Sequence, residues 1–159
     1  MRPTIYAFCF LIVFSISCSS GEKELPYKDL LTYGIPLEIQ APDSVDIRSS
    51  DIGGQKDVVL NGEDGYKLQI FSSDAYHNES TAVEEYKSEI SKHPRFKEFV
   101  QEKPQGFVYA FQLDSTTVNY GFRYIDVKGG KEIVIQQGML GIYTKEEAEK
   151  LFNYALKSK

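Results

Sequence analysis

Three consecutive segments decide the fold of this chain: GFVYAFQL (106–113), TVNYGFRYIDV (117–127) and KEIVIQQ (131–137). In each segment apolar side chains recur at a period of two, which is the spacing of a β-strand. One face of the first carries Phe107, Tyr109, Phe111 and Leu113, and one face of the second carries Val118, Tyr120, Phe122 and Tyr124. The opposite faces are also largely apolar, so the resulting sheet needs cover on both sides.

Two helices are predicted to supply that cover, one before and one after these strands. Thr81 with Glu84, and Thr144 with Glu147, have the spacing of capping boxes at helix N-termini. The apolar residues at helical spacing are Ala82, Val83, Tyr86 and Ile90 in the first helix and Ala148, Leu151, Phe152 and Ala155 in the second. The sequence therefore predicts an α+β fold, with a mostly antiparallel sheet of about six to eight strands flanked by two helices in an α/β/α sandwich.

Further strands are expected upstream of the three segments. Leu37–Gln40 and Val45–Arg48 are short runs separated by the turn residues Ala-Pro-Asp. Asp57–Leu60 and Tyr66–Ser72 flank a loop rich in glycine, asparagine and aspartate, which is typical of a hairpin. After the first helix, a strand is predicted from about Glu98, which makes the three segments part of a four-strand meander.

Composition limits the chain to one globular domain and a short targeting segment. The 159 residues are 42% hydrophobic and 26% charged, and the formal net charge is -5. An acidic protein is poorly suited to phosphate backbones, so nucleic acid is not expected as a partner. Both cysteines, Cys9 and Cys18, lie in the first eighteen residues, which leaves the remainder without a cysteine nucleophile, disulfide or cysteine metal site.

Residues 1–17 have the layout of a secretory signal. A positive charge at Arg2 precedes an apolar run, IYAFCFLIVFSI (5–16), and small residues follow. Twelve residues are fewer than the roughly 20 that a spanning helix needs, which argues against a permanent transmembrane anchor. We expect a signal peptide over 1–17, a flexible tether over 18–29 and a single α+β domain over 30–159.

The residues that follow the apolar run, Ser15-Ile16-Ser17-Cys18-Ser19, resemble the lipobox of bacterial lipoproteins. In that family the cysteine is diacylated, exposed by signal peptidase II and then N-acylated. The resemblance implies lipid attachment at Cys18, and Ser19 in the position after the cysteine implies the outer membrane. The alternative is a free thiol at Cys18, just past an ordinary signal-peptidase cut.

The order of elements and the opening segment YGIPLEIQAPDS (33–44) are similar to the PsbP-like fold, over residues 32–157. That resemblance implies an accessory factor that binds other proteins and is often attached to a membrane. No residue-level motif matches, so the resemblance implies no functional residues.

Asp74, His77 and Glu79 fall close together in the loop SSDAYHNES (72–80). Carboxylates beside a histidine can hold a metal ion, and with Ser72 or Ser73 they can form a hydrolase triad. The spacing fits neither chemistry, because there is no second nearby histidine and no strained G-x-S-x-G turn. We interpret the loop as a solvated cap of the next helix and predict no metal, cofactor or catalytic residue.

Two groups of residues remain as candidate binding surfaces. Met139 and Leu140, between glycines at the end of a strand, either form an exposed apolar contact for a partner or plug the end of the core. Tyr109, Tyr120 and Tyr124 either belong to the core or line a ligand cleft between helix and sheet. The sequence thus favours a lipid-anchored, non-catalytic envelope protein that acts through protein contacts. A small-molecule or glycan-binding lipoprotein is the alternative, and a hydrolase comes third.

Overall fold

A computed structural model describes residues 24–159. The strands of its main sheet are β3 (Asp46–Ile52), β4 (Gln55–Asn61), β5 (Lys67–Asp74), β6 (Phe96–Lys103), β7 (Gly106–Gln112), β8 (Val118–Lys128) and β9 (Lys131–Gln137). Two short strands, β1 (Tyr27–Asp29) and β2 (Glu38–Gln40), form a separate sheet and enclose a 3₁₀ turn at Leu31–Tyr33. The two helices are α1 (Glu79–Ser91) and α2 (Lys145–Leu156).

The main sheet is antiparallel throughout and has the strand order β3-β4-β5-β9-β8-β7-β6. Strands β6 to β9 form the predicted meander, and β9 turns back to pair with β5. The α+β prediction is therefore confirmed, and a sheet of seven strands falls within the expected range. The likeness to the PsbP-like fold stays a prediction.

The two helices cover opposite faces of the sheet. Residues directly opposite in an antiparallel pair lie on the same face, so Val108 shares a face with its partner Phe122. On that face, the α2 face, the ring of Phe152 lies 5.7 Å from the ring of Phe122. The other face, the α1 face, carries Phe107, which belongs to one buried cluster with Ala82, Val83 and Ile90 of α1.

Each helix begins at a side-chain cap, but only one of the two caps was predicted correctly. At α2 the capping box is confirmed: the Glu147 N–H donates to Thr144 Oγ1 at 3.2 Å, and the Thr144 N–H donates to Glu147 Oε2 at 2.8 Å. At α1 the capping box of Thr81 was wrong. The cap is Asn78, whose Oδ1 accepts from the Thr81 N–H at 3.0 Å, and the helix begins at Glu79. Asparagine caps a helix as well as threonine does, and it stands three residues earlier.

The folded domain begins earlier than the predicted boundary at residue 30. Strand β1 lies inside the segment 18–29 that the sequence predicted as a tether, and Tyr27 pairs with Gln40 of β2. The Tyr27 hydroxyl also donates to the Lys157 carbonyl at 3.1 Å, and Leu25 packs against the main core. The sequence missed this strand because a three-residue strand of mixed polarity has no readable period.

Strand β6 also begins earlier than expected, at Phe96 instead of Glu98. Its pairing with β7 shifts register twice, between Phe96 and Glu98 and between Phe99 and Gln101. Each shift adds an unpaired residue and turns the following side chains to the other face. The apolar alternation is lost there, which explains why the sequence left this segment ambiguous.

The cap assignment can be tested by two matched alanine variants. We expect Asn78→Ala to lower the free energy of unfolding by about 1 kcal/mol, because the Thr81 N–H loses its acceptor. Thr81→Ala keeps that hydrogen bond and should change stability by less than about 0.5 kcal/mol. Urea unfolding of the two variants measures both values. A larger loss for Thr81→Ala than for Asn78→Ala would contradict the structure.

Candidate functional site

The lipid-attachment residue predicted from the sequence, Cys18, and the signal segment 1–17 lie outside the described residues. Within residues 24–159, neither helix is long and apolar enough to cross a membrane. The lipid anchor at Cys18 therefore stays a prediction.

Met139 and Leu140 lie on a loop that projects from the domain. We call residues 138–142 the apolar loop, because Met139, Leu140 and Ile142 are 76%, 84% and 62% exposed. The alternative that Met139 and Leu140 plug the end of the core is wrong. Since large apolar side chains next to one another are seldom left in water, this loop is a candidate contact surface.

The base of the apolar loop is held by hydrogen bonds. The Gly138 N–H donates to the Lys67 carbonyl at 3.0 Å, and the Tyr143 hydroxyl donates to the Gly138 carbonyl at 3.1 Å. Tyr143 itself is buried, and its N–H donates to Asn119 Oδ1 at 2.8 Å. The apolar tips are thus presented on an anchored base.

The tyrosines that were expected to share a cleft lie on two faces of the sheet. Tyr109 is opposite Gly121 on the α1 face, whereas Tyr120 and Tyr124 are on the α2 face with Phe122. Tyr109 and Tyr124 are each only 4% exposed, and burial raises the pKa of the Tyr124 phenol. A single cleft lined by all three tyrosines is therefore wrong. The sequence could not show this, because strands that are apolar on both faces carry little information about register.

The loop residues Asp74, His77 and Glu79 do not converge on one point. Asp74 Oδ1 pairs with Lys131 Nζ at 2.6 Å, and His77 Nε2 lies 3.3 Å from Glu85 Oε1. Glu79 begins α1, where partial burial and the Asp126 charge raise the pKa of its carboxyl group. In the described part of the chain no three histidine, cysteine or acidic side chains are arranged to hold a metal ion, and His77 forms no hydrogen bond with a serine.

A site that the sequence did not predict lies on the α1 face. Helix α1 packs most closely over β8 and β6 and approaches β5 and β9 less closely. A cavity of about 280 Å³, which we call the helix–sheet cleft, opens between α1 and these strands. Its lining includes Phe71, Tyr86, Glu89, Arg123, Glu132 and Gln136.

A row of polar side chains crosses the sheet beneath this cleft. Gln69 Nε2 donates to both carboxylate oxygens of Asp57 at 3.1 and 3.0 Å, and Gln136 Nε2 donates to Gln69 Oε1 at 3.1 Å. Gln69 and Gln136 are only 3% and 8% exposed. Because each amide donates toward Asp57, the orientation of both glutamines is fixed. Gln136 Oε1 accepts no hydrogen bond from residues 24–159 and is available at the cleft.

Arg123 continues the row on the next strand, directly opposite Gln136. Its Nη1 group donates to the Tyr109 hydroxyl at 3.4 Å and to the Phe122 carbonyl at 3.2 Å. No described carboxylate lies within 4.0 Å of the guanidinium. Arginine has five N–H donors, so the Nε and Nη2 donors remain for a ligand.

The wall of the cleft on the α1 side is also polar. The Tyr86 hydroxyl donates to Glu132 Oε1 at 2.9 Å. Burial, and next the hydrogen bond to Glu132, raise the pKa of the Tyr86 phenol, so Tyr86 remains a donor at neutral pH. The Glu132 carboxylate accepts this hydrogen bond through Oε1 and makes no other side-chain hydrogen bond among the described residues.

A sequence signal for the cleft did exist. Gln69, Arg123 and Gln136 are isolated polar residues inside the otherwise apolar runs LQIF, FRYI and VIQQ. A polar residue in a strand that is buried on both faces requires a partner. Only the pairing of β5 with β9 and of β9 with β8 reveals that the three residues are neighbours.

Comparisons with known proteins give no relative for this chain. No family profile matches it, and neither the curated proteins nor the solved structures contain a significant match.

Proposed function

We propose that the chain is a lipid-anchored binding protein of the bacterial cell envelope, without catalytic activity of its own, that acts through a contact with another protein near the membrane. The observation that carries the proposal is the exposure of Met139, Leu140 and Ile142 on an anchored loop. Such an apolar patch is the usual centre of a protein contact surface.

The anchor is the first part of the proposal. Acyl chains on Cys18 would hold the chain in the outer membrane, since two or three chains at about 0.8 kcal/mol per buried methylene give stable attachment. The segment between Cys18 and strand β1 would then keep the domain close to the bilayer. Confinement of this kind raises the effective concentration of a nearby partner, which makes weak contacts useful.

The position of the apolar loop supports a partner that is itself close to the membrane. Leu25, the second described residue, lines a cleft together with Gly65 and Glu147 at one end of the domain. The apolar loop is at the same end, because Gly138 is bonded to Lys67 and the loop leads into α2 at Lys145. The tether and the apolar loop would therefore both face the bilayer side.

The two alternatives have less support. The proposed glycan or small-molecule cleft relied on Tyr109, Tyr120 and Tyr124, which lie on two faces of the sheet. A hydrolase would need His77 within hydrogen-bond reach of a serine and a carboxylate. Among the described residues, the Glu85 carboxylate lies near His77, but no serine hydroxyl is hydrogen-bonded to it.

The anchor is tested by the mass of the mature N-terminal peptide, isolated from membranes of cells that make the full chain. We expect a peptide that starts at Cys18 and carries two or three acyl chains. Cys18→Ser should abolish the modification, whereas Cys9→Ser, which changes a residue of the removed segment, should leave it intact. A chain that begins elsewhere, or an unmodified Cys18, would contradict the anchor.

The contact surface is tested by a photoreactive amino acid placed at position 140 in living cells, with position 31 as the matched control. Leu31 is also an exposed leucine, at 62%, but it lies near Lys128 and Lys159 at the other end of the sheet. We expect one defined protein adduct from position 140 and none from position 31.

The same experiment includes two variants that separate a specific contact from chance proximity. Met139→Ser should reduce the adduct about tenfold or more, because it removes apolar area from the patch, and it should leave the stability of this exposed position nearly unchanged. Cys18→Ser should reduce the adduct through loss of confinement. Equal adducts from positions 140 and 31, or an adduct that is insensitive to Met139→Ser, would refute the proposed surface.

A further inference from the structure

The helix–sheet cleft is separate from the apolar loop and has the features of a small-molecule site. Its volume of about 280 Å³ is just below the range of about 300–1,000 Å³ that is typical of ligand pockets, so it suits a small ligand. Its floor is ordered, since Gln69 and Gln136 are almost fully buried and fixed by Asp57. A pre-formed floor lowers the entropy cost of binding.

One end of the cleft is suited to a carboxylate. Arg123 is half-buried and has no acidic partner among residues 24–159, and its Nε and Nη2 donors make no hydrogen bond there. The Tyr109 hydroxyl and the Phe122 carbonyl hold Nη1 in place. The planar fork of a guanidinium fits a carboxylate through two parallel hydrogen bonds.

The rest of the cleft is suited to a cation. Glu89 and Glu132 carry two negative charges against the single positive charge of Arg123, so the lining as a whole is negative. A ligand with only negative groups would be repelled. Gln136 Oε1 accepts no hydrogen bond in the described chain and could take an N–H donor of an ammonium group, while the Glu132 carboxylate accepts only the Tyr86 hydroxyl and adds negative charge.

The lining of the cleft is mainly polar and includes two apolar side chains. Phe71 and Val134 lie opposite each other on β5 and β9 and contribute to the lining. Val134 is 5% exposed, and Phe71 is partly buried against the cluster beneath α1. A small apolar group of a ligand would lose water at this position, which favours binding.

We infer that the helix–sheet cleft binds a small zwitterion with a carboxylate and an ammonium group, the chemistry of a free α-amino acid. Arg123 binds the carboxylate and Gln136, directly opposite it, accepts from the ammonium group. Glu132, four residues along β9, adds the negative charge that favours a cation in the cleft, and Phe71 with Val134 contacts the side chain. This inference is independent of the proposed contact at the apolar loop.

The test is calorimetric titration of the full chain in mild detergent with each of the twenty standard amino acids. We expect at least one to bind with a dissociation constant of 1 mM or tighter. Its N-acetyl derivative lacks the ammonium charge and its amide derivative lacks the carboxylate, so each should bind about tenfold more weakly or worse. Absence of binding by all twenty, or a derivative that binds as tightly as its parent amino acid, would overturn the inference.

Variants assign the binding to the cleft. Arg123→Lys keeps the charge but loses the planar fork, and Glu132→Gln keeps the shape but loses the charge, so each should weaken binding about tenfold. Arg48→Lys is the matched control, because Arg48 is exposed on β3 and pairs with Asp46 outside the cleft. Urea unfolding confirms that the variants fold. Binding that is unaffected in folded Arg123→Lys and Glu132→Gln proteins would place the ligand elsewhere and refute the assignment.

Discussion

The pairing register of β7 with β8 is the constraint on which the rest of the structure depends. Val108 opposite Phe122 places Phe122 and Tyr124 under α2, and it leaves Phe107 and Tyr109 under α1. A shift of one residue would turn every side chain of one strand to the other face. Gly121 permits this register, because a Cβ atom there would clash with Gln137 Nε2 and lie 2.7 Å from the Tyr109 hydroxyl oxygen.

This register also explains why the two faces of the sheet differ. On the α2 face, α2 and the N-terminal strands seal one large apolar core, which includes Leu30, Ile39 and Phe152. On the other face, α1 is the main cover and lies over β6 and β8. That face also holds the row from Asp57 to Gln136, whose polar side chains are hydrogen-bonded to one another, and Arg123 stands opposite Gln136 on β8. The helix–sheet cleft lies where α1 approaches β5 and β9 less closely than it approaches β8.

Much of the fold could be predicted from the sequence, because its signals are local. Strand β9 has the predicted bounds, and the capping box at Thr144 correctly marks the start of α2. Residues 27–29 and the start of β6 were missed, since short or bulged strands lack a regular period.

The candidate surfaces were predictable to very different degrees. Met139 and Leu140 could be named because two flanking glycines and two apolar residues stand together in the sequence, although only the structure distinguishes an exposed loop from a core plug. Arg123 and Gln136 are thirteen residues apart and become neighbours only through the β8–β9 register, and Gln69 joins them through a long-range pairing. Such a site depends on strand order, which the alternation of side chains does not encode.

The register itself can be measured directly in solution. Nuclear Overhauser contacts between the Hα atoms of cross-strand residues in β7 and β8 report which residues are opposite each other. We expect a contact between the Hα atoms of Val108 and Phe122. A contact of Val108 with Gly121 or Arg123 instead would bring Tyr109 to the same face as Tyr120 and Tyr124 and would contradict both the two-faced core and the helix–sheet cleft.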